Sequence, residues 1–310
     1  MLTCIVWRVT QLLRPRDDEM QEGLTSSFGA AGRAAVRPAF GTAGRVALQI
    51  CTVPVRSATT IGGCIQLLVS VLRYVVSDTI SLRLPIGEFM VQAWTLLKVT
   101  ATPAVLMAIP FGAMVSVVTA GLVNQVGANS LIGAASGVGV VRQGAPITAG
   151  LLMGGAAASA IASDLGARAV REELDALRVI GIDPTRHLVV PRFLALLFIA
   201  PMLCTVILVS GITAAFILAV IVTDIAPGSY WMSFGTFTKM PDIWFAMGKT
   251  IVFAAIVAII SSFRGMEAKG GPRGVADAVN ASVVLNVICI VIANLAITQL
   301  QTMFFPMEIA

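Results

Sequence analysis

Charged side chains are scarce in this sequence: Asp, Glu, Lys and Arg together make up only 12% of its 310 residues. Soluble domains usually carry about 25% charged residues. The mean hydropathy is +0.91, and several uncharged runs are as long as the roughly 20 residues that cross a bilayer. This composition excludes an ordinary soluble protein and indicates an integral membrane protein.

Groups that bind metals or perform catalysis are also scarce. Histidine occurs once, at His187, and the five cysteines show neither CxxC nor Cys/His spacing, so no metal site and no disulfide framework are predicted. There is no Walker A lysine motif, so we do not expect this chain to hydrolyse ATP. No Ser/His/acid arrangement is visible, and we predict neither an enzyme nor a bound cofactor. The net charge of +5 is modest and does not indicate a nucleic-acid partner.

The uncharged runs predict an all-α fold with five transmembrane helices. The third run is long enough for roughly 45 Å of helix, and charge favours one helix there over two short ones. The five predicted spans are Ala101–Val123, Val138–Ser163, one helix within Phe193–Thr223, Ile243–Phe263 and Val275–Thr302.

The N-terminal part of the sequence has a different pattern. Residues 1–60 form an extension that we expect to be cytoplasmic or to lie on the membrane surface. Ile61–Arg83 has helical apolar spacing but is too short to span, which favours an amphipathic helix in the membrane interface. A soluble helix packed on another domain is the alternative. Leu84–Lys98 continues as helix, and Asn124–Ser136 reads as an external loop.

Basic residues decide the predicted topology. The loops on one side hold Arg168, Arg171, Arg178, Arg186, Arg192, Arg264, Lys269 and Arg273. The opposite loops hold only Arg142, at a helix edge, and Lys239. Because short cytoplasmic loops carry an excess of Lys and Arg, the N-terminus is predicted to be cytoplasmic and the C-terminus outside.

The densest charged segment is Asp164–Arg192, between the second and third predicted spans. Gly181 is a predicted helix stop, with Pro184 just beyond it. The segment is either an ordinary loop or a short helix on which a soluble partner docks. Its helical spacing is carried by Leu165, Ala169, Glu172, Ala176 and Val179.

Two other local patterns leave an alternative open. Gly150 and Gly154 belong to a run of small residues that lets helices approach closely, within one subunit or between two. The glycine-rich stretch 270–274 has the composition of a phosphate loop, but it lacks the preceding strand and the GK[ST] ending. A tight turn is therefore the favoured interpretation.

Two blocks of the sequence resemble a known family. EELDALRVIGIDPTRHLVVPR and FRGMEAKGGPRGVADAVNASVV are similar to the signatures of MlaE/YrbE-type permeases, the membrane subunits of Mce-associated lipid ABC transporters. The resemblance runs from about Gly62 to the C-terminus, so residues 61–310 are expected to form the permease domain. It implies that the charged segment contains a cytoplasmic coupling helix that docks on a separate ATPase. The residues expected to couple are Arg171, Glu172, Glu173, Asp175 and Arg178.

The resemblance also implies a lipid pathway lined by Gln143 and Lys249. Lys249 is the only charge inside the fourth predicted span, where an ionisable group is either functional or snorkels to the interface. Gln143 stands where relatives of the MlaE branch usually have Glu. A Gln there resembles the A type, the first of the two YrbE types paired in actinobacterial Mce operons, and this implies a heterodimer.

The function implied by the resemblance is transport of hydrophobic lipid, such as fatty acid, sterol or phospholipid, across the cell envelope. The implied partners are a separate ABC ATPase, a second YrbE-type permease, Mce proteins and the lipid substrate, in the inner or plasma membrane. Two alternatives stay open: an ion-coupled secondary transporter, and a structural membrane anchor of an envelope complex. An ion-coupled transporter needs ionisable or broken-helix sites near the midplane.

Overall fold

The computed structural model describes residues 62–75, 77, 86–127, 131–223 and 225–304. The chain divides into two compact units, Met1–Gly62 and Gly63–Ala310. The predicted extension, residues 1–60, lies outside the described residues. Within the described residues every regular element is a helix, which confirms the predicted all-α class.

Five of the helices are long and apolar enough to cross a membrane, as predicted, and a shorter apolar helix precedes them. The short helix between the second and third of these five was also predicted. In chain order the helices are α1 Gly62–Val75, α2 Ile86–Val126, α3 Ile132–Val170, α4 Glu173–Val179, α5 Val190–Thr223, α6 Pro227–Phe237, α7 Met240–Met266 and α8 Pro272–Phe304, and α2, α3, α5, α7 and α8 are the spanning ones.

Helix α1 is apolar on two sides, which fits the predicted position in the membrane interface. Val71 is fully buried against the rest of the bundle, whereas Val69 on another side is 60% exposed. At the C-terminal end of α1, the Tyr74 hydroxyl donates a hydrogen bond of 2.7 Å to Asp183 Oδ2 in the α4–α5 connection. Helix α1 therefore lies at the same end of the bundle as α4.

Helix α2 is longer than the predicted span Ala101–Val123. It begins at Ile86 and continues through Pro103 and Pro110 to Val126. Trp94 and Lys98 belong to this same helix, with the Lys98 ammonium 5.0 Å from the centre of the Trp94 ring. The prediction was too short because Lys98 was taken as the edge of the span, and a charge on an exposed face does not interrupt a helix.

The predicted external loop Asn124–Ser136 is wrong in extent, because α3 already begins at Ile132. Ile132 is fully buried and packs with Tyr230 of α6, an element that the sequence did not predict. This contact closes the end of the bundle opposite α4, which we call the α6 end. Burial of Ile132 stabilises helix in a stretch whose Gly and Asn residues are typical of a loop.

Helix α3 is the most buried of the five spanning helices and contains two π-helical turns, Gly139–Gly144 and Met153–Ala157. Gly150 lies against Phe253 of α7 and Ile290 of α8, and Gly154 lies against Ile290. The small residues of α3 are therefore used for close packing within this chain. This settles the two alternatives in favour of packing inside one subunit for these two glycines.

Helix α5 is a single helix, which confirms the choice of one long span over two short ones. Helices α7 and α8 also extend a few residues beyond their predicted bounds. They are joined by a tight turn in which Gly270 and Gly271 have φ of 87° and 80°. Positive φ is accessible to Gly without strain, so the glycines serve a turn, as predicted.

Helices α2 and α5 run parallel and approach closely. Ser116 Oγ donates to the Ala215 carbonyl at 3.0 Å, and one turn earlier Gly112 faces the backbone of Gly211. A Cβ built at Gly112 would overlap the Gly211 carbonyl. Gly112 is thus required at this crossing because only hydrogen fits between the two backbones.

We expect Gly112→Ala to lower the free energy of unfolding by about 1 to 3 kcal/mol, because it overpacks the α2–α5 crossing. Denaturant titration of the detergent-solubilised protein measures this. Gly121→Ala is the matched control, since Gly121 lies on the same helix with nothing within 4 Å of the added carbon. It should be neutral or stabilising by about 0.5 to 1 kcal/mol. Equal effects of the two substitutions would contradict the assigned crossing.

Candidate functional site

Helix α4 is a short helix with well-defined ends. Its C-terminus is closed by Gly181, with φ of 85°, whose N–H donates to Arg178 O at 3.0 Å. The Ile182 N–H donates to Leu177 O at 2.9 Å, which completes the paired hydrogen bonds of a Schellman motif. Leu174 is only 5% exposed and anchors the helix to the bundle. The predicted helix stop at Gly181 is therefore confirmed.

The N-terminus of α4 differs from the prediction. The helical spacing from Leu165 to Val179 predicted continuous helix, but α3 ends at Val170 and α4 begins at Glu173. Glu172 between them has φ of 60°, a left-handed conformation that costs an L-residue about 1 to 2 kcal/mol. This break separates α4 from α3, which an apolar repeat alone does not reveal.

The predicted coupling residues form exposed ion pairs on and beside α4. Arg171 Nε lies 3.2 Å from Glu173 Oε1, and Arg178 Nη1 lies 2.8 Å from Asp175 Oδ1. Glu172 is exposed as well. Such surface pairs contribute at most about 1 kcal/mol each. The five charges are brought together on one small element and are accessible to a partner.

An apolar tip follows these charges at the C-terminal end of α4. Val179 is 88% exposed and Ile180 is 72% exposed, whereas Leu174 one to two turns earlier is buried. Protein interfaces typically have an apolar centre and a polar rim. The exposed aliphatic side chains of α4 and the ion pairs beside them have this composition.

A buried ion pair next to α4 was not predicted. Arg192, at the start of α5, has only 2% of its side chain exposed, and its Nη2 donates to Asp164 Oδ2 on α3. Its Nη1 also donates to the Leu188 carbonyl at 3.2 Å. A buried arginine is costly without a carboxylate partner. The position of Arg192 at the edge of a spanning run was therefore the sequence signal from which an ion pair could have been predicted.

The predicted pathway residues lie together near the α6 end of the bundle. Lys249 Nζ donates to Thr298 Oγ1 at 3.1 Å and to the main-chain carbonyl of Arg142 at 3.0 Å. Gln143 Nε2 donates to the same Thr298 Oγ1 at 3.2 Å, and Asn294 Nδ2 donates to Gln143 Oε1 at 3.2 Å. Thr298 of α8 therefore links the two predicted residues, which lie on α3 and α7.

Lys249 is 1% exposed and makes both of its hydrogen bonds inside the chain. The ammonium group therefore points into the bundle, which disfavours the snorkelling alternative. Arg142 and Gln143 belong to the first π turn of α3, and π turns often occur at functional sites. We call Arg142, Gln143, Asp242, Lys249, Asn294, Thr298 and Gln301 the polar cluster.

The centre of the polar cluster is an ion pair that the sequence did not reveal. Arg142 Nε lies 2.9 Å from Asp242 Oδ1, and Arg142 Nη2 donates to Asp242 Oδ2 at 3.2 Å. Gln301 Nε2 donates to Asp242 Oδ1 at 3.1 Å. The available signal was the repeat of Asn294, Thr298 and Gln301 at helical spacing on α8.

In the part of the chain that the structure describes, no three His, Cys, Asp or Glu side chains lie close enough together to bind a metal ion. The cysteines described, Cys64, Cys204 and Cys289, are free thiols. The candidate site is thus built from hydrogen bonds, ion pairs and exposed apolar surface.

We expect Asp242→Asn to lower the free energy of unfolding by about 3 kcal/mol, because it leaves the Arg142 charge buried without its partner. Asp175→Asn makes the same chemical change in an exposed pair, where 71% of the carboxylate side chain is accessible, and should cost less than about 1 kcal/mol. Denaturant titration in mixed micelles compares the two. A similar small cost at both positions would contradict the assigned burial.

Comparison with known proteins places the chain in a family. The family described as Permease MlaE matches residues 89–300, a narrower range than the resemblance that starts at Gly62. A probable ABC transporter permease protein of Synechocystis sp. is 30% identical over 204 residues, which is 62% of this chain and 78% of that protein.

Two further relatives match shorter stretches. Protein TRIGALACTOSYLDIACYLGLYCEROL 1, chloroplastic, of Arabidopsis thaliana is 30% identical over 56% of this chain and 50% of that protein. A probable ABC transporter permease protein of Rickettsia typhi is 30% identical over 52% of this chain and 62% of that protein. With five spanning helices and a family match over more than two thirds of its length, the chain is a multi-pass membrane protein that belongs to the MlaE permease family.

Proposed function

We propose that this chain is the membrane subunit of an ABC-type lipid transporter and that a separate ATPase drives it through α4. The main evidence for this proposal is the arrangement of residues on α4. It is anchored by the buried Leu174, and it presents charged residues and the exposed Val179 and Ile180 outside the bundle. A spanning helix connects to each end of α4, so force applied to α4 reaches the transmembrane part of the chain.

Charge distribution supports a cytoplasmic position for α4. The basic residues Arg168, Arg171 and Arg178 flank or belong to it, and Arg264, Lys269 and Arg273 surround the α7–α8 turn at the same end. Because cytoplasmic loops are enriched in Lys and Arg, this end faces the ATPase. The N-terminus is then cytoplasmic and the C-terminus outside, in an inner or plasma membrane.

The proposed substrate is a hydrophobic lipid. One relative carries a galactolipid in its name, and the spanning helices of this chain expose mainly apolar side chains. The polar cluster contains Gln143 and Lys249, which we assign to the lipid pathway near the outer membrane surface. A polar headgroup that reached this cluster would have to replace the hydrogen bonds that Lys249 and Gln143 make to Thr298, while the apolar surfaces accommodate its chains.

Further partners follow from the same proposal. Gln143, in place of the Glu that is usual in the MlaE branch, supports assignment to the A type of paired YrbE permeases. The second permease of that pair would complete the pathway as a heterodimer. Mce proteins would receive or deliver the lipid on the outer side. In this arrangement the chain changes conformation and leaves ATP hydrolysis to its partner.

One observation favours a second candidate, an ion-coupled secondary transporter. Asp242 and Lys249 are ionisable groups buried within spanning helices, and Arg142 beside them is half-buried, as such a transporter requires. They lie close to the α6 end, however, and not at the midplane where coupling sites are usual. A structural anchor is the third possibility, and it needs neither α4 nor the polar cluster.

Purification of the tagged chain from detergent-solubilised membranes is the first test. Mass spectrometry of the purified sample identifies co-purifying proteins, an ATPase assay follows turnover, and extraction identifies bound lipid. An ATPase, a second permease and Mce proteins with ATP turnover are expected. A solitary chain without a nucleotide-binding partner would overturn the ABC proposal and favour the ion-coupled transporter.

We expect Asp175→Lys to reduce the amount of co-purified ATPase about tenfold, because it places a like charge beside Arg178 in the docking surface. Asp277→Lys makes the same change at another exposed position of the α4 end, on α8, and should leave co-purification unchanged. Equal recovery of the ATPase with both variants would show that α4 is not the docking element.

Substitution of the buried lysine tests the pathway. We expect Lys249→Met to lower ATP-dependent lipid movement in proteoliposomes about tenfold, because a charged hydrogen-bond donor is lost. The amount of co-purified ATPase should not change. Lys269→Met, at an exposed position of the opposite end, is the control and should transport normally. Normal transport by Lys249→Met would remove Lys249 from the pathway.

A further inference from the structure

The ion pair between Asp164 and Arg192 closes the segment that contains α4. Asp164 lies in the last two turns of α3, and Arg192 lies in the first turn of α5. The two residues are 28 positions apart, and α4 with its connections lies between them. The contact therefore joins the two spanning helices at the base of the docking element. We call it the clasp.

The clasp is made by a single arginine with two different acceptors. One terminal nitrogen of Arg192 binds Asp164 on α3, and the other binds the Leu188 carbonyl at 3.2 Å. Leu188 belongs to the π turn Thr185–Val189, through which the chain returns from α4 to α5. Arg192 thus fixes the end of α3 and the returning connection at the same point.

Burial distinguishes the clasp from the ion pairs on α4. Arg192 has 2% of its side chain exposed, whereas Arg171 and Arg178 have 64% and 63%, and the Asp164 side chain is 43% exposed, so the burial lies on the arginine side of the clasp. Exposed pairs rearrange easily and contribute little, but a buried guanidinium cannot lose its carboxylate without leaving a charge unpaired. Breaking the clasp is therefore more costly than breaking the exposed pairs on α4, because it leaves the Arg192 guanidinium buried without a carboxylate.

An ion pair between the end of α3 and the start of α5 affects how movement of α4 is transmitted. Without it, α4 would be attached to α3 through Glu172 and to α5 through the π turn, and its displacement could be absorbed by these connections. With it, a displacement that reaches the end of α3 or the start of α5 is shared by both helices, because Arg192 joins them. Helix α3 carries Gln143 in its first π turn, so its movement reaches the polar cluster at the other end of the bundle.

We infer that Asp164 and Arg192 are positioning residues that make α4, α3 and α5 move as one unit when the ATPase acts on α4. This inference rests on the proposed function, because it needs a partner that pushes or pulls on α4. Neither residue contacts the lipid or the nucleotide in this assignment. Their contribution is the efficiency with which hydrolysis is converted into lipid movement.

The test uses the complete transporter, purified with its ATPase and reconstituted in proteoliposomes of the host's own lipids. ATP hydrolysis and movement of labelled lipid are measured on the same preparation, and their ratio gives the lipid moved per ATP. Asp164→Asn removes the charge of the clasp with little change of shape. We expect hydrolysis to continue while the ratio falls at least about fivefold, and Asp164→Glu to restore a large part of it.

Arg168→Gln is the matched control. Arg168 Nε contacts the other oxygen of the same carboxylate, Asp164 Oδ1, at 3.3 Å and on the more exposed side. Removing it leaves the contact with Arg192 intact, so the ratio should stay at the wild-type value. A ratio that falls equally in Arg168→Gln and Asp164→Asn would show a general charge effect and overturn the inference.

The remaining outcomes separate the inference from the function on which it rests. If the wild-type complex moves no lipid with ATP, the proposed function fails and the inference fails with it. If the wild type is coupled and Asp164→Asn has the same ratio, only the clasp inference is overturned. If Asp164→Asn does not assemble with the ATPase, the pair is needed for folding alone, which also overturns the inference.

Discussion

A charged side chain inside the bundle needs an oppositely charged or polar partner within the protein, because hydrocarbon offers none. This constraint explains the arrangement of the buried charges. Arg192 binds a carboxylate and a carbonyl at one end of the bundle, and Arg142 binds Asp242 at the other. In both cases the partner comes from a different helix. The same interactions that satisfy these groups therefore also fix how the spanning helices are placed relative to each other.

The fold could be predicted from the sequence because a bilayer sets the length of each apolar run and the side on which basic residues accumulate. Five largely apolar runs predicted five spanning helices, and glycines predicted the end of α4 and the turn between α7 and α8. The start of α3 at Ile132 and the existence of α6 could not be predicted. Both depend on tertiary contacts, such as the packing of Ile132 on Tyr230, that stabilise helix where local composition is typical of a loop.

The candidate site was predictable only where its residues are close in sequence. The charges of α4 lie within one short segment, and a family resemblance pointed to Gln143 and Lys249. Asp242 and Thr298 were not predicted, because their role arises where α3, α7 and α8 meet. A sequence gives the spacing along one helix, but it does not show which faces of three helices converge. Glu172 shows the same limit locally. Its left-handed backbone breaks the helix, although the helical spacing of the sequence continues through it.

The two π turns of α3 each hold one residue more than a regular helical turn of the same rise. The extra residue shifts the phase of the helix, so the side chains that follow each turn lie about 100° from where a regular helix would place them. The side of α3 that packs against α7 and α8 therefore does not follow one 3.6-residue repeat from Ile132 to Val170. A hydrophobic pattern drawn with one regular period through the whole helix would assign the positions beyond each turn to the wrong face, so the faces of α3 have to be read turn by turn.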